Sequence, residues 1–190
     1  MDEAIRAAHA TGATIGDELG IPVFFYGEAA RRPETRELPD IRRGGLEGVT
    51  ERVAAGLRPD AGPTAIDARV GVVCVGARGP LIAFNVWLRA ELATARAIAA
   101  VVRAPGRVRA LGLDARDGRC QVSMNLISPD GVGIEEAFER VEAAAMTRGA
   151  EIVATEIVGL VAEDHLPSPD AKVTRLLIEP GHSLEAALGD

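Results

Sequence analysis

From Leu81 onward the sequence predicts an α/β (α+β) chain on a ferredoxin-like βαββαβ plan, and three observations carry that expectation. Residues 120–126, Cys-Gln-Val-Ser-Met-Asn-Leu, alternate apolar and polar side chains without a break, as a strand with one buried face does. Ile134, Phe138, Val141 and Ala145 recur on one face of a helical repeat. Ala115-Arg116-Asp117-Gly118 joins two strand-like runs with an Asp-Gly turn signal.

In chain order, 2–19 reads as a helix. Ile5, Ala8, Ile15 and Leu19 fall on one face, Asp2 and Glu3 suit the positive end of the helix dipole, and Gly20 can end it. Residues 22–26 form a short apolar strand. Residues 27–40, with Pro33 and Pro39, read as a loop, and Leu46, Val49, Val53 and Leu57 then recur at helical spacing. Residues 58–68 are a Pro- and Gly-containing connection. Runs 70–75 and 81–88 are strand-like, 91–103 is helical, and 108–113 and 119–127 are the hairpin strands. A helix over 134–147, a strand over 152–160 and an added final strand over 173–178 complete the chain.

The chain has 190 residues, 47% of them hydrophobic but only 3% aromatic, so Ala, Val, Ile and Leu must build the core. A net charge of −7 argues against nucleic-acid or acidic-membrane partners, although local arginines can still hold a small anion. Cys74 and Cys120 each sit in an apolar run, which favours buried thiols over a disulfide, and no metal-ligand spacing is present. His9, His165 and His182 are scattered and read as surface residues. No apolar stretch is long enough to span a membrane, and Asp2 and Glu3 are wrong for a secretory leader, so a cytoplasmic protein is expected.

The second strand of the hairpin places Gln121, Ser123 and Asn125 on the face opposite its apolar residues, and Asn85 interrupts the apolar strand Phe84-Asn85-Val86. These amides either meet solvent and backbone groups or line a ligand groove on an open sheet face.

Three stretches, taken in order and spacing, resemble the formiminotransferase domain of the glutamate formiminotransferases. The first runs from Gly20 through Tyr26-Gly27-Glu28-Ala29-Ala30 and continues to Leu38-Pro39-Asp40-Ile41-Arg42-Arg43-Gly44. The second is Gly62 to Gly71, followed by Gly76-Ala77-Arg78 and Leu81-Ile82-Ala83-Phe84-Asn85. The third is Gln121 to Leu126, with Ile157-Val158-Gly159-Leu160-Val161 after it. The resemblance implies two related α/β subdomains. Residues 1–79 would be the C-terminal part of the first with its linker, and residues 80–190 the second, with folate held in a groove between them.

The same resemblance implies formimino transfer from N-formimino-L-glutamate to tetrahydrofolate, which serves as co-substrate, with no metal, in histidine degradation and one-carbon metabolism. The loop matching the family's folate-binding segment is Gly62, Pro63, Thr64, Ala65, Ile66, Asp67, Ala68, Arg69, Val70 and Gly71. Gly62 and Gly71 match by type, whereas Asp67, Ala68 and Arg69 depart from the pattern, and a plain linker is the competing reading. Both substrates carry carboxylates, and an arginine fork binds a carboxylate through two parallel hydrogen bonds. Arg42 and Arg43 head the candidates, with Arg69 and Arg78 behind them and Asn85 and Asn125 as groove residues; solvated surface charge is the alternative for the arginines.

Nothing in the sequence matches the segment that carries the family's catalytic histidine, so no catalytic residue is assigned. The resemblance places that segment upstream of the residues present. A complementing N-terminal polypeptide, or self-association into a homo-oligomer through an open sheet edge, is therefore expected. A folate- or carboxylate-binding module without catalysis, or a partner subunit, is the alternative function.

Overall fold

The computed structural model of the chain describes residues 1–115 and 118–189. The chain is mixed α/β and divides into two compact units, Met1–Gly79 and Pro80–Asp190. The turn expected at Asp117 lies outside the described residues, as does Arg116.

The first unit opens with α1 (Asp2–Leu19), ended by Gly20 in the left-handed conformation at φ 63°. Its buried stripe is Ala8, Gly12 and Gly16, whereas Leu19, expected on that face, is exposed. Close approach decides the rotation. A β-carbon on Gly16 would lie 2.5 Å from the Gly62 nitrogen, so only a bare backbone lets the helix sit against that loop. Strand β1 (Val23–Gly27) pairs in parallel with β2 (Val73–Ala77). Val23 and Phe25 pack with Ala8, Ala29 and Ala77 on one side of this ribbon. Phe24 packs on the other with Ile41 and Val49, from α2 (Leu38–Arg42) and α3 (Gly45–Ala54). The unbroken apolar run in β1 follows from its burial on both faces.

Two expectations for this unit shift. Strand β2 begins at Val73, not Val70, because Asp67 O accepts from the N–H groups of Val70 (3.0 Å) and Gly71 (2.8 Å) and closes a turn there. The region expected as loop over 27–40 contains a single 3₁₀ turn, Pro33–Thr35, and the start of α2, whose first turn tolerates Pro39.

The second unit has the expected order β3 (Ile82–Arg89), α4 (Leu92–Arg103), β4 (Val108–Ala115), β5 (Arg119–Leu126), α5 (Ile134–Met146) and β6 (Glu151–Val158). The sheet is antiparallel in the order β4-β5-β3-β6. Cys120, Val122, Met124 and Leu126 are fully buried, together with Phe84, Val86 and Leu88 from β3 and Ile98 and Val141 from the helices. Burial of each large aliphatic or aromatic side chain contributes about 1.5–3 kcal/mol.

The final strand expected over 173–178 is not formed. Lys172–Arg175 is a helical turn, α6, and only Leu177 bridges to β6, at Thr155. The apolar run serves as a plug instead: Val173 enters the core, and its carbonyl accepts from Thr155 Oγ1 at 2.9 Å. Pro167, Pro169 and Pro180 bracket the run, and a proline cannot donate to a ladder, which limits the strand. Beyond β6, a two-residue strand β7 (Leu160–Val161) pairs in parallel with β8 (His182–Ser183), and Ser183 caps α7 (Leu184–Leu188).

Candidate functional site

In the first unit, the end of β1, helices α2 and α3 and the approach to β2 enclose a cavity of about 600 Å³. Tyr26, Ile41, Arg42, Val49, Gly71 and Cys74 are among its walls. Gly71, at φ 83°, is the pivot that turns the chain from the Asp67 turn toward β2. Arg52 holds α3 against α2, its guanidinium donating to the carbonyls of Ile41 and Arg43.

Arg42, the last residue of α2, brings an exposed guanidinium to the cavity wall, and among the described residues no carboxylate pairs with it. Its neighbour Arg43 is already paired with Asp40. Burial pushes the Cys74 thiol up from its ordinary value, with the Arg42 charge pulling the other way. The site therefore offers a cationic fork at the edge of a half-apolar cleft, a match for the carboxylate of a larger ligand.

Of the ten loop residues singled out by sequence, only Val70 and Gly71 line this cavity. Gly62, at φ 78°, is wedged beside Gly16 and the Ile21 carbonyl, and Ile66 packs in the cluster under α3. Pro63, Thr64, Ala65 and Ala68 are exposed. Arg69 closes a fork on Asp67, Nε to Oδ1 at 3.2 Å and Nη2 to Oδ2 at 2.8 Å. That pairing holds the Asp67 carboxyl below its ordinary range and occupies the guanidinium. Arg78 donates to the Gly79 carbonyl at 3.0 Å.

In the second unit, the sheet face turned away from α4 and α5 carries a polar cluster. Register places Asn85 on β3 beside both Ser123 on β5 and Glu156 on β6. Asn85, only 9% exposed, donates from Nδ2 to Glu156 Oε2 at 3.0 Å, and Gln121 Nε2 approaches the same oxygen at 3.4 Å. Asn125 lies exposed on the same face opposite Arg109. Trp87, two residues along β3, keeps its indole N–H buried without an acceptor among the described residues, and Arg119 stacks over its ring at 5.5 Å. Around the cluster, Leu111, Leu113 and Val158 are exposed.

Glu156 was missed by sequence reasoning. The signal was the same as for Asn85: a polar residue interrupting an apolar strand, here Ile152-Val153-Ala154-Thr155-Glu156-Ile157-Val158. Tyr26 and Cys74 as cavity walls had no sequence signal, since both sit in apolar runs that read as core.

Two of the histidines are more enclosed than a surface reading expects. His9 is half-buried, donates from Nε2 to Ala29 O at 2.9 Å and tilts against Phe25. His165, half-buried, lies 3.1 Å from Asp130, and His182 is exposed. Neither cysteine is in a disulfide; Cys120 is fully buried and Cys74 only partly so. Among the described residues no group of His, Cys, Asp and Glu is arranged to hold a metal ion, and no helix is long and apolar enough to cross a membrane.

Two family models match, in sequence order. One, described as the formiminotransferase domain, N-terminal subdomain, matches residues 1–78, and the other, the formiminotransferase domain, matches residues 83–169. A formimidoyltransferase-cyclodeaminase of Sus scrofa is 37% identical over 174 residues, covering 85% of this chain and 32% of the relative. A glutamate formimidoyltransferase of Streptococcus pyogenes serotype M1 is 32% identical over 192 residues, covering 93% of this chain and 64% of the relative. Another, of Thermoplasma acidophilum, is 36% identical over 175 residues, covering 87% of this chain and 57% of the relative. The chain thus spans less than two thirds of the length of these relatives, while both family models together account for most of it. The chain belongs to the formiminotransferase domain family.

Proposed function

We propose that residues 1–190 supply the substrate-binding parts of a cytoplasmic transferase that moves the formimino group of N-formimino-L-glutamate to tetrahydrofolate, within histidine breakdown and one-carbon metabolism. The observation that carries this reading is the Arg42 guanidinium, paired with no carboxylate among the described residues, at the wall of a cavity of about 600 Å³, next to the end of the loop that resembles a folate-binding segment. That volume suits a drug-sized organic ligand. Arg42 takes a carboxylate of the folate glutamate tail, and Val70 and Gly71 offer backbone and apolar contact beside it.

The chemistry sets the remaining requirements. The folate amine attacks the formimino carbon and forms a new C–N bond. The tetrahedral adduct then collapses by breaking the bond to the glutamate nitrogen, which leaves carrying a proton. One group that accepts a proton and later returns it serves both halves, and an imidazole titrating near neutrality suits that task. In this reading the imidazole comes from polypeptide other than residues 1–190. Holding both substrates side by side removes much of the entropic barrier.

The test has two arms. Saturating tetrahydrofolate should raise the melting temperature of the chain, since a ligand that binds only the native state stabilises it. Adding the His-containing segment of a relative should then produce turnover. A flat melting temperature defeats the binding claim, and background turnover with the segment present defeats catalysis by this chain. The second reading, a non-catalytic folate- or carboxylate-binding module, is favoured by one observation: among the described residues, no histidine lines the cavity. It expects stabilisation without turnover.

A further inference from the structure

We propose that Glu156 is the binding residue for the cationic formimino group of the donor, with Asn85 and Gln121 as the positioning residues that aim its carboxylate. The inference rests on the formimino-transfer reading above and assigns one of its two substrates to the sheet face of the second unit.

The geometry begins with the hydrogen bonds. A carboxylate can only accept, so both amides must present their nitrogens to it, and both do so at a single oxygen, Oε2. Oε1 accepts nothing from the described residues. No lysine, arginine or histidine among them pairs with Glu156 either. A half-buried carboxylate is therefore held by neutral donors, with one oxygen open and its charge uncompensated. A purely structural role would be met as well by glutamine, which keeps an acceptor for Asn85 and carries no charge to desolvate. The charge has a use only if a cation comes to it.

The chemistry of the substrates identifies that cation. Tetrahydrofolate and the glutamate part of the donor bring carboxylates, which a glutamate side chain repels. The donor's α-nitrogen belongs to the formimino group itself, so no free ammonium remains. The formimino group is an amidine, protonated at neutral pH, and its in-plane N–H groups match a carboxylate as an arginine fork does. The pterin of tetrahydrofolate offers only neutral N–H donors, so among the groups on the two substrates the formimino group is the cation that the Glu156 charge attracts.

The sheet is built to keep the carboxylate in place. Asn85 lies on the central strand β3, between β5 and β6, and is only 9% exposed, so its amide has little freedom. Gln121 reaches in from the other side of β3, where it stands opposite Trp87.

Calorimetric titration of the full chain decides the matter, using N-formimino-L-glutamate, its isostere N-formyl-L-glutamate, in which the formyl group carries no charge, and tetrahydrofolate. Glu156→Gln should weaken the formimino ligand about 10- to 100-fold, the range of a charge-assisted hydrogen bond. The formyl ligand and tetrahydrofolate should each stay within about 3-fold, the scatter of an exchange that keeps shape and one acceptor. On the unaltered chain, acetamidinium should compete with the formimino donor while acetamide does not, a result that does not depend on the variant folding. Equal affinity of Glu156→Gln for the formimino ligand overturns the assignment, as does an equal loss for the formyl ligand, which marks a merely structural role. A loss confined to tetrahydrofolate overturns it in favour of a pterin contact. If the unaltered chain binds tetrahydrofolate but no glutamate derivative, the Glu156 assignment fails and folate binding stands. If it binds none of the three ligands, the formimino-transfer reading itself fails.

Discussion

Replacing Asp60 with alanine should unfold the first unit more easily than any surface charge change would. Asp60 has a side chain only 3% exposed, and its carboxylate serves two partners. Oδ2 accepts the backbone N–H of Phe25 at 2.8 Å, inside β1, and Oδ1 lies 3.1 Å from Arg32, itself 28% exposed. Phe25 is fully buried, so alanine leaves its N–H without an acceptor, at about 1–3 kcal/mol. Arg32 is partly solvated, and losing its partner adds about 1 kcal/mol, toward the low end for ion pairs. The sum is about 2–4 kcal/mol. With a urea dependence of about 1–3 kcal/mol per molar, the unfolding midpoint should fall by about 1.5 M at the central values, within a range of about 0.7–4 M. Circular dichroism in a urea series reads this directly. Asp60→Asn keeps an oxygen for Phe25 and should recover more than half of the loss. A midpoint for Asp60→Ala within about 0.2 M of the parent, inside ordinary surface scatter, would refute the reasoning, and so would Asn and Ala variants of equal stability.

Three further outcomes are expected. Gly16→Ala should destabilise, although alanine is the better helix former by about 1 kcal/mol, because its β-carbon would meet Gly62 backbone at 2.5 Å and overpacking costs about 1–3 kcal/mol; a raised melting temperature contradicts this. Trp87→Phe removes a buried N–H that has no acceptor among the described residues, so the gain offsets the smaller ring and stability should stay within about 1 kcal/mol; a loss above about 3 kcal/mol in the same melt would mean the indole is satisfied after all. Under a disulfide reagent Cys74 should react and fully buried Cys120 should not, with the Cys74 rate rising only at pH values more alkaline than an ordinary thiol requires. Arg42→Ala should slow that reaction further at fixed pH, since the Arg42 charge favours the thiolate. The sign for stability follows: a thiol raised in the folded state stabilises fully below its unfolded value, and that contribution is lost as pH climbs through the folded one.

Much of the second unit could be read from residues alone. The period-two pattern of 120–126 and the helical repeat of Ile134, Phe138, Val141 and Ala145 are one-sided burial written into sequence, and both faces are where periodicity puts them. The failures have physical causes. Hydropathy puts Leu19 on the buried face of α1 because it gives glycine no weight, whereas Gly12 and Gly16 form the contact face for want of a β-carbon. The run 173–178 has strand composition, yet a single bridge to Thr155 is all the backbone makes of it.

The candidate groups were legible as residue types and not as pairings. Arg42 and Arg43 are equivalent in sequence, and only the fold shows that Asp40 occupies Arg43 while Arg42 reaches the cavity. Arg69 looked available until its fork proved to be closed on Asp67. Asn85 stood out as a polar break in β3, but its partner Glu156 lies 71 residues away, a separation no local pattern spans.

The central claim is that the Arg42 cavity holds a carboxylate of the folate, and equilibrium dialysis of labelled tetrahydrofolate against the parent chain, Arg42→Ala and Arg43→Ala tests it most directly. Arg42 is exposed, so its charge pair with a carboxylate is worth about 1 kcal/mol, and Arg42→Ala should weaken binding about 5-fold, while Arg43→Ala leaves it within about 2-fold. Equal affinities for all three proteins, or a larger loss at Arg43 than at Arg42, would contradict it.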